Sequence, residues 1–223
     1  MVALLYPPRC FLCDKPLPEP DPICEECADG LERFRDALCV VCGAPVPSGI
    51  DLCRGCAVEP RPFAYARAVG PYRGGLRTLV LGLKYGGEYA LARFLAGLIA
   101  EALPEGADLI AYVPRDPGRR RPHHAAELLA RELSRRTGIP MGRLLRKTRS
   151  TPPQISLTHE ERRENVRGAF AARRKGKGER VVLVDDVYTT GPTVSECAAA
   201  LIEAGFGEVS VLTVARTVAG DED

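Results

Sequence analysis

Eight of the nine cysteines fall within the first 56 residues, as four C-x-x-C pairs: Cys10/Cys13, Cys24/Cys27, Cys39/Cys42 and Cys53/Cys56. Stretches of 10, 11 and 10 residues separate the pairs. A C-x-x-C turn aims two thiolates at one point, and two such turns complete a tetrahedral four-sulfur site of the kind that holds Zn²⁺. Ferredoxin clusters use other spacings, and disulfides need an oxidising compartment that nothing here suggests. Eight thiolates therefore predict two structural zinc ions. Consecutive pairing groups Cys10, Cys13, Cys24 and Cys27 at one metal and Cys39, Cys42, Cys53 and Cys56 at the other. An interleaved order, first pair with third, competes with it; the short gaps favour the consecutive one. Gly43, next to Cys42, suits the tight turn of a zinc knuckle. The segment is rich in proline and poor in apolar periodicity, so the metals rather than a core would hold it together. Thiolates fill all four places at each metal, which leaves no open position for a substrate and makes the ribbon a scaffold.

The texture changes near residue 61. Phe63 to Tyr72 alternates like a strand and ends at Gly70-Pro71. Leu76 to Lys84 and Tyr89 to Leu103 have helical spacing, with Leu91, Phe94, Leu95, Leu98 and Ile99 on one face. Leu109 to Val113 and Val181 to Val184 are short apolar runs that predict buried strands. His124 to Arg136 and 193–204 predict helices, the second stopped by Gly205. Thr158-x-x-Glu161 reads as a capping box before a short basic helix. Val209 to Ala215 is a last strand, 173–180 an exposed loop, and Cys197 a small buried residue inside its helix. Alternating strands and helices predict an α/β fold, a mainly parallel sheet with helices on both faces. Two units follow: a double zinc ribbon over 1–60 and an α/β domain over 61–223.

Charge is distributed unevenly. The chain is net +2, but residues 1–60 are net −5, 61–114 net +2, 115–180 net +12 and 181–223 net −7. A basic middle segment suggests a polyanionic partner, phosphate or nucleic acid; a solvated arginine-rich surface is the plainer alternative. Arg119, Arg120 and Arg121 are its densest cluster and the candidates for nucleic-acid contact. No apolar stretch reaches the roughly 20 residues needed to span a bilayer. The start, MVALLYPPRC, lacks a basic leader and a full apolar segment. A cytoplasmic chain is expected.

The most informative stretch is Val181 to Val194, VVLVDDVYTTGPTV. A buried strand is expected to end in two carboxylates, Asp185 and Asp186, followed by the polar turn Thr189-Thr190-Gly191 and the start of a helix. Backbone N–H groups in such a turn, with the positive helix end, form an anion nest. Carboxylates suit sugar hydroxyls or a metal ion. One element thus offers both halves of a sugar phosphate. Pro192 has no N–H to donate, though proline suits the first helical position.

This stretch resembles the phosphoribosyl pyrophosphate motif of type I phosphoribosyltransferases, and the chain nearly end to end resembles the ComF family. That family joins an N-terminal zinc ribbon to a phosphoribosyltransferase-type domain. Four further blocks carry the likeness. Leu83-Lys84-Tyr85 resembles its lysine-bearing segment, and Val113 to Arg119 its loop after the first core strand. Arg121 with Ala125, Ala126, Leu128 and Ala130 resembles its following helix, with Pro122-His123-His124 where Gly-Phe-Asn is usual. Arg146, Lys147, Thr148, Gln154, Arg162, Asn165, Val166, Ala169 and Phe170 resemble its R-x-x-x-T-x-x-Q … R-x-x-N-V-x-x-A-F stretch. His123 and His124 are expected to cap a helix or face solvent.

The resemblance implies a type I phosphoribosyltransferase-like fold. It implies that Asp185 and Asp186 contact ribose hydroxyls, with Mg²⁺ held through the ribose and pyrophosphate. Thr189, Thr190, Gly191 and Thr193 would hold the 5′-phosphate. Arg115, Lys84, Arg146 and Lys147 are the candidates for pyrophosphate. Purine-salvage enzymes of this fold place an acid where Thr189 stands, so no general base for a nucleobase is visible. The implied function is a phosphoribosyl pyrophosphate-binding protein of DNA uptake, with single-stranded DNA and competence proteins as partners. A phosphoribosyltransferase of nucleotide metabolism with an unknown acceptor is the alternative. An interaction module that kept the fold and lost the ligand is a third reading.

Overall fold

The computed structural model describes residues 7–18, 21–35, 37–116, 124–151 and 159–218. Thr158 of the expected capping box lies outside them, as do Gln154, His123 and Arg119 to Arg121. Two short helices, α1 (Glu25–Asp29) and α2 (Arg54–Val58), each follow directly on a zinc-type cysteine, Cys24 and Cys53. The rest of the chain runs β1 (Tyr65–Pro71), α3 (Gly74–Leu81), a π-helical turn Gly82–Gly86, α4 (Ala90–Ala100), β2 (Leu109–Tyr112) and α5 (Ala125–Thr137). Then come β3 (Leu145–Lys147), α6 (His159–Val166), β4 (Phe170–Ala172), β5 (Val181–Tyr188), α7 (Pro192–Glu203) and β6 (Val209–Arg216).

β1, β6, β5 and β2 form one sheet in that order, and all three pairings are parallel. A parallel sheet must be covered on both faces, and the alternation of side chains supplies two apolar faces. Val182 and Val184 of β5 with Leu212 and Val214 of β6 pack with α3, α4 and α5. Val181, Leu183, Val209 and Val211 pack with α7 and with the antiparallel hairpin of β3 and β4. Each three-residue strand of that hairpin is too short to show a period of two, so the sequence did not announce it. Cys197 is fully buried in α7, as its place on the helix suggested.

The two ribbons do not hang free. Cys10, Leu17, Ile23, Cys24 and Leu31 belong to the first apolar cluster; Cys39, Cys42 and Cys56 belong to the second. Between the ribbons the chain runs along β1, the edge strand, and pairs with it. The Phe34 N–H donates to Val69 O at 2.9 Å and the Ala66 N–H to Val41 O at 2.6 Å. The metal-binding segment thereby covers an edge that would otherwise expose unpaired backbone groups.

β5 extends further than its apolar run. Val181 to Val184 alone read as strand, yet pairing with β6 continues through Asp185↔Thr213, Val187↔Ala215 and Tyr188↔Arg216. The neighbour on the other side, β2, stops at Tyr112↔Val184. A crevice opens where one strand ends before the next. α5, which follows β2, and α7, which follows β5, lie on opposite faces, so this crevice is the point where the winding of the sheet reverses. Open α/β sheets bind ligands there, at the carboxyl ends of the strands.

Candidate functional site

The crevice is a cavity of about 380 Å³. Asp185, Asp186, Tyr188, Thr189, Gly191 and Thr193 from the β5–α7 corner line it, with Arg115 and Asp116 after β2, Lys84 and Tyr85 from the π turn, and His124 at the start of α5. Segments far apart in sequence therefore meet at one wall.

The corner is built around a left-handed residue. Gly191 caps α7 with φ of 92°, and a Cβ there would overlap the Tyr188 hydroxyl. Both conformation and space demand glycine. Pro192 takes the first helical position, as expected. Thr190, unlike Thr189 and Thr193, is not part of the cavity lining, and its Oγ1 is buried with no hydrogen-bond partner among the described residues.

Asp185 accepts a hydrogen bond from the Asp186 N–H at 2.9 Å. Burial, and next the like charge of Asp186, push its carboxyl up to about 8. Protein packs around the group while the pocket still admits water to it. Asp186 pairs with Lys84, Nζ to Oδ1 at 2.8 Å, both side chains largely covered. Burial works to lower the lysine, but Asp186 and then Asp185 more than offset it, so Lys84 is held above its ordinary value.

Asp116 is buried and accepts from Lys147 Nζ at 2.6 Å, from the Ser150 hydroxyl at 2.7 Å and from the Thr151 N–H at 3.0 Å. This network ties the loop after β2 to the β3–β4 hairpin. Lys147 thus lines the pocket with its charge already matched. Its neighbour Arg146 is exposed and is not part of the pocket lining, because successive strand residues point to opposite sides. Arg115 is exposed at the pocket and has no ion pair among the described residues. With Asp185 proton-bearing near neutrality, Asp186 and Asp116 each matched by a lysine, Arg115 is the uncompensated charge of the described lining. The two carboxylates do not make the pocket repel anions.

His124 departs from the sequence expectation. It stands at the N-cap of α5 without a side-chain capping bond, and it is mostly buried in the pocket wall. Its ring lies edge-on to Tyr112 with centroids 5.4 Å apart, and Nδ1 sits 3.5 Å from a Glu127 carboxylate oxygen. Burial lowers its basicity, although Glu127 and Asp186 act in the other direction. The apolar Tyr112 ring, contributed by β2, is the feature a linear reading misses. Tyr85, Asp116 and Tyr188 also lie inside the motif blocks without a role that the sequence assigns to them.

The cysteines form two sets, Cys10, Cys13, Cys24, Cys27 and Cys39, Cys42, Cys53, Cys56, with the sulfurs of each within 4.8 Å of one another. Pairing is consecutive. A tetrahedron with Zn–S of about 2.3 Å has edges of about 3.8 Å; Cys13 and Cys24 are 3.7 Å apart, Cys42 and Cys53 3.6 Å. The two knuckles repeat each other: Asp14 and Gly43 follow the second cysteine with φ of 60° and 67°. Burial works against the Cys10 and Cys39 thiolates, yet backbone N–H donors draw both thiols down to about 6. The donor sets fit structural zinc. The first ribbon also reaches the π turn: the Phe11 ring fills the space where a Cβ on Gly82 would stand.

Comparison with known proteins agrees with this architecture. The sequence model of the double zinc ribbon domain matches residues 1–57, and that of the phosphoribosyl transferase domain matches 122–223. Fold and site define a type I phosphoribosyltransferase-like protein stapled by a double zinc ribbon. The chain is 31% identical to the DNA utilization protein YhgH of Salmonella typhi, over 96% of this chain and 100% of that one. It is also 31% identical to Competence protein F of Haemophilus influenzae, over 66% of this chain and 71% of the relative. It belongs to the ComF family. Among solved structures, the glutamine phosphoribosylpyrophosphate amidotransferase from B. subtilis shares 29% identity at a TM-score of 0.39. That match covers 54% of this chain and spans a quarter of the other, 25%.

Proposed function

We propose that the pocket binds phosphoribosyl pyrophosphate, or a ribose 5-phosphate, with Mg²⁺, and that the protein serves the uptake or use of DNA. The observation that carries the ligand is the β5–α7 corner. A carboxylate pair and a left-handed glycine opening a helix face one cavity, so sugar hydroxyls and a phosphate can be met at once. Asp185 and Asp186 would hold the ribose hydroxyls. Thr189, Gly191 and Thr193, which line the cavity, would hold the 5′-phosphate, with Thr190 in the same turn. Arg115 is the charge best placed for pyrophosphate, with Lys84 lining the same cavity in its pair with Asp186; Lys147 acts through Asp116 by shaping the loop.

A divalent cation arriving with the ligand would favour the deprotonated form of Asp185, and the acid pair would then offer the oxygen donors a hard cation prefers. Bound Mg²⁺ would supply charge neutralisation for a pyrophosphate leaving group. The chemistry open to the site is displacement of pyrophosphate at the anomeric carbon. This chain's part is to orient the sugar and match the charge that develops on the leaving group. The DNA role rests on the names borne by the relatives and on the net +12 of residues 115–180. Cytoplasmic residence belongs to the same reading; among the described residues no helix is long and apolar enough to cross a membrane. Residues 1–60 and 61–223 would be its two units, the first bracing the second.

Calorimetric titration of phosphoribosyl pyrophosphate with Mg²⁺ into the zinc-loaded protein tests the reading. Saturable binding at one site per chain is expected, followed by pyrophosphate release when a true acceptor, base or DNA is added. A wild type that gives neither heat nor a thermal shift overturns it.

A further inference from the structure

We propose that Arg216 and Tyr188 are positioning residues that lock the phosphate-binding turn to the second zinc ribbon. The inference rests on the ligand reading above and deepens it. Arg216 ends β6 directly opposite Tyr188, which ends β5. Both side chains are buried, Arg216 to 8% and Tyr188 to 3% exposure. The Arg216 guanidinium makes two contacts. Nη1 donates to the carbonyl of Cys42, a cysteine of the second four-sulfur set. The guanidinium carbon lies 4.6 Å from the centre of the Tyr188 ring. The Tyr188 hydroxyl in turn rests on Gly191, so closely that no Cβ fits between them. Thus a single line of contacts runs from the Cys42 carbonyl through Arg216 and Tyr188 to the residue that opens α7.

Charge supplies the reason for an arginine here. Four thiolates around Zn²⁺ carry a net charge of about −2, and a buried cation needs a counter-charge. Arg216 acts on Cys42 through its charge, and Arg61 interacts with both Cys56 and Tyr188. Arg216 is held over the tyrosine face, where a cation is attracted to the ring. Its Nε has no partner among the described residues, so the Cys42 carbonyl and the ring are what fix it. The backbone of Tyr188 is pinned as well, through the Thr217 N–H to its carbonyl at 3.0 Å. Tyr188 lines the ligand cavity itself. A residue clamped in this way sets where the Thr189–Thr193 donors stand, as outer partners orient ligand-binding groups elsewhere.

The test uses the full zinc-loaded chain with Arg216→Met and the conservative Arg216→Lys. Zinc content and the thermal midpoint are measured first, then two further readouts. The first is calorimetric affinity for ribose 5-phosphate. Arg216→Met should keep two zinc ions and lose about tenfold in affinity, with Arg216→Lys between it and the wild type. The second needs no ligand: amide hydrogen exchange of the peptide spanning 188–196 should quicken in Arg216→Met while that of the β2 peptide does not. Wild-type affinity and wild-type exchange in Arg216→Met overturn the inference and leave the ligand reading standing. If the wild type itself ignores ribose 5-phosphate and phosphoribosyl pyrophosphate, the ligand reading falls, and unchanged exchange in the variant removes the clamp as well. Should Arg216→Met fail to fold, the same two readouts on Arg216→Lys decide, and wild-type values for both overturn the inference.

Discussion

Asp185→Asn should stabilise the protein in alkaline solution while destroying the ligand site. The Asp185 carboxyl is raised from 3.8 to about 8, by burial first and by Asp186 second. Folding therefore favours its protonated form, and the folded state holds a proton between pH 4 and 8 that the unfolded chain releases. Stability from this group falls as pH rises through that window and reaches its full penalty above pH 8. Each tenfold change in proton affinity is worth about 1.4 kcal/mol, which sets a ceiling of roughly 6 kcal/mol. Pocket water and an effective dielectric near 20 bring the working figure to about 2–3 kcal/mol. Lys84, held above its ordinary value, stays charged throughout and does not add to the difference.

Asparagine keeps an oxygen to accept the Asp186 N–H and carries no charge. Thermal melts of wild type and variant should converge near pH 4, where the carboxyl is protonated in the folded chain and largely so in the unfolded one. By pH 9 the variant should melt about 5–10 °C higher, taking ~2–4 °C per kcal/mol for a chain of this size. Differential scanning at five pH values, without ligand, reads this directly. Parallel curves for the two proteins from pH 5 to pH 9 would show that the Asp185 carboxylate carries no burial penalty, and the reasoning would fail. At pH 7 with phosphoribosyl pyrophosphate and Mg²⁺, the wild type should gain a ligand-induced shift that the variant lacks.

Gly191→Ala forces a Cβ into a left-handed residue, about 1–2 kcal/mol, and against the Tyr188 hydroxyl; ribose 5-phosphate binding by calorimetry should drop below detection while the fold survives by circular dichroism. Metal analysis should find about two zinc ions per chain, and Cys13→Ser should remove one of them. Metal content near zero in folded, reduced protein would refute the zinc assignment. Charge reversal at Arg119, Arg120 and Arg121 should weaken DNA binding and flatten its dependence on salt in a fluorescence titration. Unchanged affinity at two salt concentrations would move the contact elsewhere.

Much of this protein was legible in its sequence, for reasons that can be stated. C-x-x-C spacing is a local geometric rule, so the eight candidate zinc ligands could be read directly; short gaps favoured consecutive over interleaved pairing, and the two sulfur sets decide for it. The acid pair, threonines and Gly191 lie within nine consecutive residues, so the site motif and its helix could be read together. The parallel sheet followed from alternating apolar runs, and β1, β2, β5, β6 and the helices between them appear near where periodicity put them.

What the tertiary structure decided depends on contacts between residues distant in the chain. β5 runs to Tyr188 because β6 keeps pairing with it, which apolar content could not show. Lys147 lines the cavity already matched by Asp116 across 31 positions, a pairing that braces the loop after β2 and that residue type alone could not show. His124 enters the pocket because β2 delivers the Tyr112 ring to pack against it. Cys42 meets Arg216 across 174 positions, and that contact joins the second ribbon to the end of β6 beside Tyr188. Residue type and spacing determine chemistry that is local along the chain; which charges remain uncompensated is set only when the chain has closed on itself.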